Sequence, residues 1–201
     1  MKVLILSPYP EAIIKTLKIS NDTFFTYTSK LSLEFLKENN FEFIISYGYK
    51  YIIKEEIIKG FKNNIINLHI SYLPFNKGYY PNLWSHLEGT PCGVSIHKID
   101  KGIDTGEILI QKKCFFDKQK LTFRNSYEIL KKELEELFRE NWELLKRGKI
   151  SSIKSKKNGT FRSKIEGDEI LKLLDKGWDT KIDAAIKIYQ DYLFTIKNSL
   201  P

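Results

Sequence analysis

The feature that most constrains the fold is a series of short apolar runs separated by segments of helical spacing. Lys2 to Ser7 (KVLILS), Glu42 to Tyr47 (EFIISY) and Asn64 to Ile70 (NIINLHI) have strand length and are apolar almost throughout. A strand with one wet face alternates; a continuous run is expected where both faces are covered. Ala12 to Leu17, Leu31 to Asn39 and Lys54 to Phe61 read as helices, and so does Pro81 to Leu87, with proline in its first turn. Phe24 to Thr28, rich in aromatic and β-branched residues, adds a strand near the start. This order predicts an α/β fold built on an open, mostly parallel sheet with right-handed crossovers. Val94 to Ile99 and Ile108 to Phe115 are expected to be adjacent strands.

The longest periodic segment is Leu121 to Arg147. Tyr127, Leu130, Leu134, Leu137, Phe138, Trp142 and Leu145 recur there at intervals of three and four, predicting an amphipathic helix across the sheet. Beyond Gly148 the composition turns polar. SSIKSKKNGT reads as an extended segment and a turn, followed by helices over Asp168 to Leu174 and Ala184 to Ile196. There is no internal repeat and no low-complexity linker. The 201 residues suffice for one domain with a full core, expected over residues 1–150, and a small C-terminal extension, 151–201, packed on it.

Thirty-three Lys and Arg against 25 Asp and Glu give a formal charge of +8. That balance suggests an anionic partner, yet the lysines are scattered among Ile, Asn and Glu, as on a solvated surface. A nucleic-acid module would interleave cations with exposed aromatics on one face, so no nucleic acid partner is expected. MKVLILSPYP is too short for a signal or membrane segment, which predicts a soluble, cytoplasmic protein without a membrane partner. Cys92 and Cys114 lie in or beside predicted strands without C-x-x-C spacing and read as reduced packing residues. The three histidines lack zinc-ligand spacing, so no metal is expected. Nicotinamide and P-loop signatures are absent from the sequence.

Chemistry concentrates between Asn67 and Ile108. Asn67 and His69, two apart on a strand, point to one face. Asp104 follows in IDKGIDTGEI, a glycine-containing loop able to carry its carboxylate back to the pair. A carboxamide and an imidazole can donate to an oxyanion, while a carboxylate can orient the imidazole and accept a proton, which are the parts of an acyl-transfer site. On its own, His69 also reads as a satisfied core histidine; Asn67 beside it argues otherwise, because both buried groups need partners. His97, closing GVSIH, is either a chemical participant or a packing residue behind the site. His86, in WSHLEG, is expected on a solvated helix face. Gly48, in the loop SYGYKYII, allows an unusual dihedral or a close ligand approach outside the carboxyl ends of the strands.

NLHISYLP followed by SIHKIDKGIDTG resembles the signature of the 10-formyltetrahydrofolate-dependent formyltransferases, whose Asn, His and Asp correspond to Asn67, His69 and Asp104. SYGYKYII, LPFNKGYYPNLWSHLEGTPCGVSIH, GTFRSK and GWDT are similar to the branch that formylates amino sugars on nucleotides. The resemblance implies the Rossmann-like formyltransferase fold, a catalytic domain at residues 1–150, and 10-formyltetrahydrofolate as cosubstrate. It implies a nucleotide-linked amino sugar as acceptor, a dTDP-4-amino-4,6-dideoxyhexose, in a pathway such as lipopolysaccharide O-antigen synthesis. Glycinamide ribonucleotide formylation would use the same trio. Ser46, Tyr47, Gly48, Tyr49, Asp100 and Ile103 would line the reduced-folate site; Lys77, Asn82, Trp84 and His97 would face the sugar nucleotide. Lys77 stands where relatives often carry Arg, and either meets the diphosphate as a point charge or is a solvated loop lysine. The resemblance leaves a homodimer open.

Overall fold

A computed structural model describes residues 1–61, 64–154 and 158–199. In chain order the elements are β1 (Lys2–Leu6), α1 (Glu11–Ile19), β2 (Thr23–Tyr27), α2 (Leu33–Asn39), β3 (Phe43–Tyr47), α3 (Glu55–Phe61) and β4 (Ile65–His69). There follow β5 (Lys77–Gly78), α4 (Pro81–Leu87), β6 (Gly93–Lys98), β7 (Ile108–Lys113) and α5 (Phe123–Lys146). The chain continues through β8 (Phe161–Arg162), α6 (Lys164–Lys172), a 3-10 turn at Gly177–Asp179, and α7 (Ile182–Ser199).

Six strands form one sheet in the order β2-β1-β3-β4-β6-β7. The first four run parallel; β6 is antiparallel to β4, and β7 to β6. The apolar runs are continuous because alternate residues of one strand fill opposite cores. Val3, Ile5, Phe43, Ile45, Ile66 and Leu68 pack with Leu17 of α1 and with Leu130, Leu134, Phe138 and Trp142 of α5. Leu4, Leu6, Ile44 and Ile65 pack on the other face with Leu36 of α2 and Ile57 of α3. Asn67 and His69 share the parity of Ile65 and so lie on the face away from α5.

A third apolar cluster joins α4 to the C-terminal elements through Leu83, Trp84, Leu87, Phe123, Ile170, Leu174, Ile182, Ala185 and Tyr189. This cluster overturns the expectation that His86 faces solvent. Asn82 through Leu87 are all buried, since α4 is packed between the start of α5 and α7. His86 is 1% exposed, with Phe116 and Phe123 rings 5.3 and 6.0 Å away, and burial pushes its imidazole down to about 4. Helix α6 begins at Lys164, ahead of the expected Asp168, because Ser163 and Glu166 form a reciprocal capping box. Strands β5 and β8, two residues each, were not expected; so short a strand has no readable period. Within the polar stretch after Gly148, Ile153 bridges to Ile108, and residues 155–157 lie outside the described residues.

Asp22 ties the ends of α1 and α5 together. Its carboxylate accepts from Trp142 Nε1 at 2.7 Å and Lys146 Nζ at 3.0 Å and meets the N-terminal amine at 3.2 Å. Burial opposes ionisation, yet hydrogen bonds from Ser20, Trp142 and Lys146 outweigh it and bring the carboxyl down to about 2 from 3.8. The folded value lies below the unfolded one, so this stabilisation is complete above about pH 4 and is lost as pH falls toward 2. Asp22→Ala should cost about 2 kcal/mol at pH 7, by removing the acceptor that Trp142 Nε1 and Lys146 Nζ share and leaving them only Ser20 and Glu143. The deficit should shrink on acidification through that window. Thermal melts at pH 7 and pH 3 check it, and equal deficits at both would remove Asp22 from this role.

Candidate active site

The site is assembled from β4, β6 and the loops beyond them. In the β4–β6 ladder Asn67 lies opposite His97 and His69 opposite Ser95, so carboxamide and second imidazole are cross-strand neighbours. Asp104 comes from the β6–β7 connection, with a left-handed backbone (φ 53°). That loop is tied by Asp100, whose Oδ1 accepts from Gly102 N–H at 3.0 Å and Thr105 Oγ1 at 2.6 Å. A Cβ at Gly106 would collide with the Lys98 carbonyl, so only glycine lets the loop turn back this closely.

Four groups converge on the Asp104 carboxylate. Oδ1 accepts from Asn67 Nδ2 at 3.3 Å and lies 3.4 Å from His97 Nε2. Oδ2 accepts from the Gly78 N–H at 2.9 Å and lies 3.6 Å from His69 Nε2. His97 Nδ1 is 2.8 Å from the Lys98 carbonyl, an oxygen that only accepts, so Nδ1 carries the hydrogen. In the neutral ring Nε2 then accepts from Asn67 Nδ2 at 3.2 Å. The two amide hydrogens of Asn67 are thus divided between His97 and Asp104.

Electrostatics follow from this packing. The Asp104 side chain is only 11% exposed, and burial alone would raise its pKa; His69, His97 and the Gly78 N–H outweigh that and hold it well below the usual carboxylate range. Burial lowers the His69 imidazole, as does His97, and the opposing pull of Asp104 and the Asn76 carbonyl does not restore it. At neutral pH the site therefore holds an ionised Asp104 and an uncharged His69.

A cavity of about 440 Å³ opens over these residues. Ser46, Tyr47, Gly48 and Tyr49 form one wall, and Asp100 to Asp104 another, with Asn67, His69 and His97 also lining it. It lies beyond the carboxyl ends of β1 and β3, where the sheet order reverses, the general ligand position in open α/β sheets. Gly48 has φ 65°, and the Tyr9 hydroxyl occupies the space a Cβ would need. Tyr9 in turn meets Tyr47 edge-on at 4.9 Å. A second cavity of about 410 Å³ adjoins the first, sharing Ile70, Tyr80, Pro81 and Tyr127, and is walled by Asn82, Phe123, Arg124, Glu128 and Trp178.

The structure brings Asn67, His69, His97 and Asp104 together and sets all six residues expected around the folate into the first cavity wall. Asn82 reaches the second cavity, although its amide is engaged by the Phe123 carbonyl at 2.9 Å and the Ser126 hydroxyl at 3.0 Å. Trp84 lines neither cavity; it is 2% exposed, beneath the Arg162 guanidinium at 4.8 Å. Lys77 also lines neither, and its backbone pairs with the Thr160 carbonyl. Tyr9, Tyr80, Arg124, Tyr127 and Trp178 escaped the reading of the sequence; aromatics following strand ends and the GWDT turn were the available signal. Among the described residues no group of three or more His, Cys, Asp or Glu side chains could hold a metal ion. No described helix is long and apolar enough to cross a membrane.

The formyltransferase PseJ from Anoxybacillus kamchatkensis, solved in complex with UDP-4,6-dideoxy-4-formamido-L-AltNAc and tetrahydrofolate, is similar in fold and sequence. The TM-score is 0.88 at 43% identity, covering 94% of this chain and 100% of that one. The methionyl-tRNA formyltransferase of Finegoldia magna is 38% identical over 87 residues, 43% of this chain and 28% of that protein. The dTDP-4-amino-4,6-dideoxyglucose formyltransferase of Mycobacterium bovis is 31% identical over 74 residues, 37% of this chain and 31% of the relative. The matched stretch thus spans less than a third of the length of these two curated relatives. Residues 26–140, a span that contains Asn67, His69 and Asp104, match the formyl transferase family. This chain belongs to the formyl transferase family.

Proposed function

We propose that the protein transfers a formyl group from 10-formyltetrahydrofolate to the amino group of a nucleotide-linked 4-amino-4,6-dideoxyhexose. The observation that carries this reading is the convergence of Asn67, His69, His97 and Asp104 on the wall of one cavity that adjoins a second, aromatic one. The first cavity suits a reduced folate and the second a nucleoside diphosphate, with Trp178 and Tyr80 offering flat faces and Arg124 a cation. Likeness to a formyltransferase solved with a UDP-linked formamido sugar and tetrahydrofolate supports both ligand classes, and it favours uridine over the thymidine expected from sequence. The proposed setting is the cytoplasm, in keeping with the free cysteines Cys92 and Cys114.

In this reading Asn67, redirecting one of the amide hydrogens it gives to His97 and Asp104, and His69 donate hydrogen bonds to the formyl oxygen as it gains charge, each donor contributing roughly 3 kcal/mol to the transition state. Asp104 is too weak a base to deprotonate a free ammonium of pKa about 8, so the acceptor must arrive as a neutral amine. Once the carbon–nitrogen bond has formed, that nitrogen is cationic and more acidic than the free ammonium. Asp104 then takes its proton, directly or through water, and returns it to the folate nitrogen as the bond from the formyl carbon to that nitrogen breaks. Turnover should accordingly rise with pH through the ionisation of the substrate amine.

Asn67→Ala and His69→Ala should each lower kcat by about 100-fold or more. Asp104→Asn should be similarly impaired across the whole pH range, because its carboxylate is ionised throughout. Retention of more than about a tenth of wild-type turnover by these variants would contradict the assigned roles. Trp178→Ala should raise KM for the nucleotide sugar about 10-fold with little change in kcat, the pattern of a contact remote from the reacting nitrogen. An unchanged KM would remove the second cavity from substrate binding. A panel of UDP- and dTDP-linked 3-amino and 4-amino sugars and glycinamide ribonucleotide tests the substrate class. Formylation of a 4-amino sugar is expected, and turnover of glycinamide ribonucleotide alone would overturn the reading.

A further inference from the structure

Residues 159–162 reach the site from the far end of the chain. Strand β8 pairs in parallel with β5; Lys77 N–H donates to the Thr160 carbonyl and Tyr79 N–H to the Arg162 carbonyl, both at 3.0 Å. Arg162 anchors this strand through ion pairs to Glu88 and Glu166. Gly159 sits so close to the Pro74 carbonyl that a Cβ would not fit.

Asn76, immediately before β5, is 1% exposed and left-handed (φ 52°), and each of its polar groups has a partner. Its N–H donates to Thr160 Oγ1 at 2.7 Å, and its Oδ1 accepts from the same hydroxyl at 3.1 Å. Its Nδ2 donates to Thr90 Oγ1 at 2.7 Å. Its carbonyl oxygen lies 3.3 Å from His69 Nε2. One threonine hydroxyl therefore grips both the backbone and the side chain of the residue whose carbonyl faces the imidazole.

The neighbours of His69 Nε2 are the Asn76 carbonyl at 3.3 Å and Asp104 Oδ2 at 3.6 Å. Both are oxygens that only accept. A bare Nε2 would set lone pair against lone pair, so the neutral ring must carry its hydrogen there. The Asn76 carbonyl, the nearer of the two and clasped by Thr160, is the firmer reference point. We propose that Thr160, acting through Asn76, is a positioning residue that fixes the tautomer and orientation of His69 for formyl transfer. The kinetic part of this proposal rests on the formyltransferase reading, whereas the tautomer does not.

Thr160→Val keeps the side-chain shape and removes the hydroxyl. It should lower kcat about 10-fold or more, the usual scale for a group that orients a reacting one, with both KM values little changed. Thr160→Ser should recover most of the loss. In protein labelled with nitrogen-15 histidine, and with His69→Gln used for assignment, His69 should show its hydrogen on Nε2 at neutral pH. In Thr160→Val that signal should move toward a mixture of tautomers. Hydrogen on Nδ1 in the wild type, wild-type kcat in Thr160→Val, or equal impairment of the Val and Ser variants would each overturn the proposal, the last by indicating packing alone. Should Thr160→Val fail to fold, Thr90→Val, which removes the acceptor for Asn76 Nδ2, should shift the same spectrum and an unmoved spectrum would count against the clasp. If no amino sugar is formylated by the wild type, the functional reading fails while the tautomer measurement still decides this one.

Discussion

A buried carboxylate sets the terms for everything around it. Asp104 is 11% exposed, and an ionised group so far from water persists only where donors surround it. Here the compensation comes from separate elements: the carboxamide and imidazole of β4 and the backbone N–H of Gly78 in β5. Each holds the others in register through the shared anion. Breaking one contact leaves charge uncompensated rather than merely loosening a loop.

The sheet makes that convergence possible by changing direction at β4. On one side β4 pairs in parallel with β3, whose carboxyl end opens the first cavity; on the other it pairs antiparallel with β6. Antiparallel pairing brings Asn67 and His97 face to face and returns the chain past the same end of β4, where the Asp100–Gly106 loop can fold over. A parallel β6 would have needed a long crossover before its loop could reach this edge. The same geometry leaves Asn67 and His69 on the face opposite α5, so the largest core cluster supports the strand without competing for its polar side chains.

Much of this was legible in the chain. Apolar runs such as KVLILS and EFIISY identified β1 and β3 because both their faces are covered, and the three- and four-residue spacing from Tyr127 to Leu145 identified α5. The i, i+2 placement of Asn67 and His69 announced a shared face, since strand periodicity is a local property. What stayed hidden is non-local. Whether a helix has a wet face depends on what packs against it, and nothing in WSHLEG signals that Phe116 and Phe123 cover His86. Trp84 reads as a ligand platform in isolation and is a core residue beneath Arg162 in the fold. Trp178 and Arg124 stand far apart in the sequence and meet only at the second cavity, where Asp179 holds the guanidinium at 2.6 Å.

The position of β8 bears on how the chain is divided. A boundary near residue 150 follows the fall in apolar content, yet the two-residue ladder between β5 and β8 lies within one residue of Asn76, and Asn76 contacts His69. Gly78 belongs to that ladder and donates directly to Asp104. Its φ of 89° and the Arg162 carbonyl against its α-carbon leave no room for a larger residue, so the donor to the Asp104 carboxylate is shaped by the segment after residue 158. The sheet supplies the side chains of the site, while the C-terminal segment supplies the backbone frame that aims them. A unit cut at residue 150 would keep every residue of the trio and lose the support of two of them.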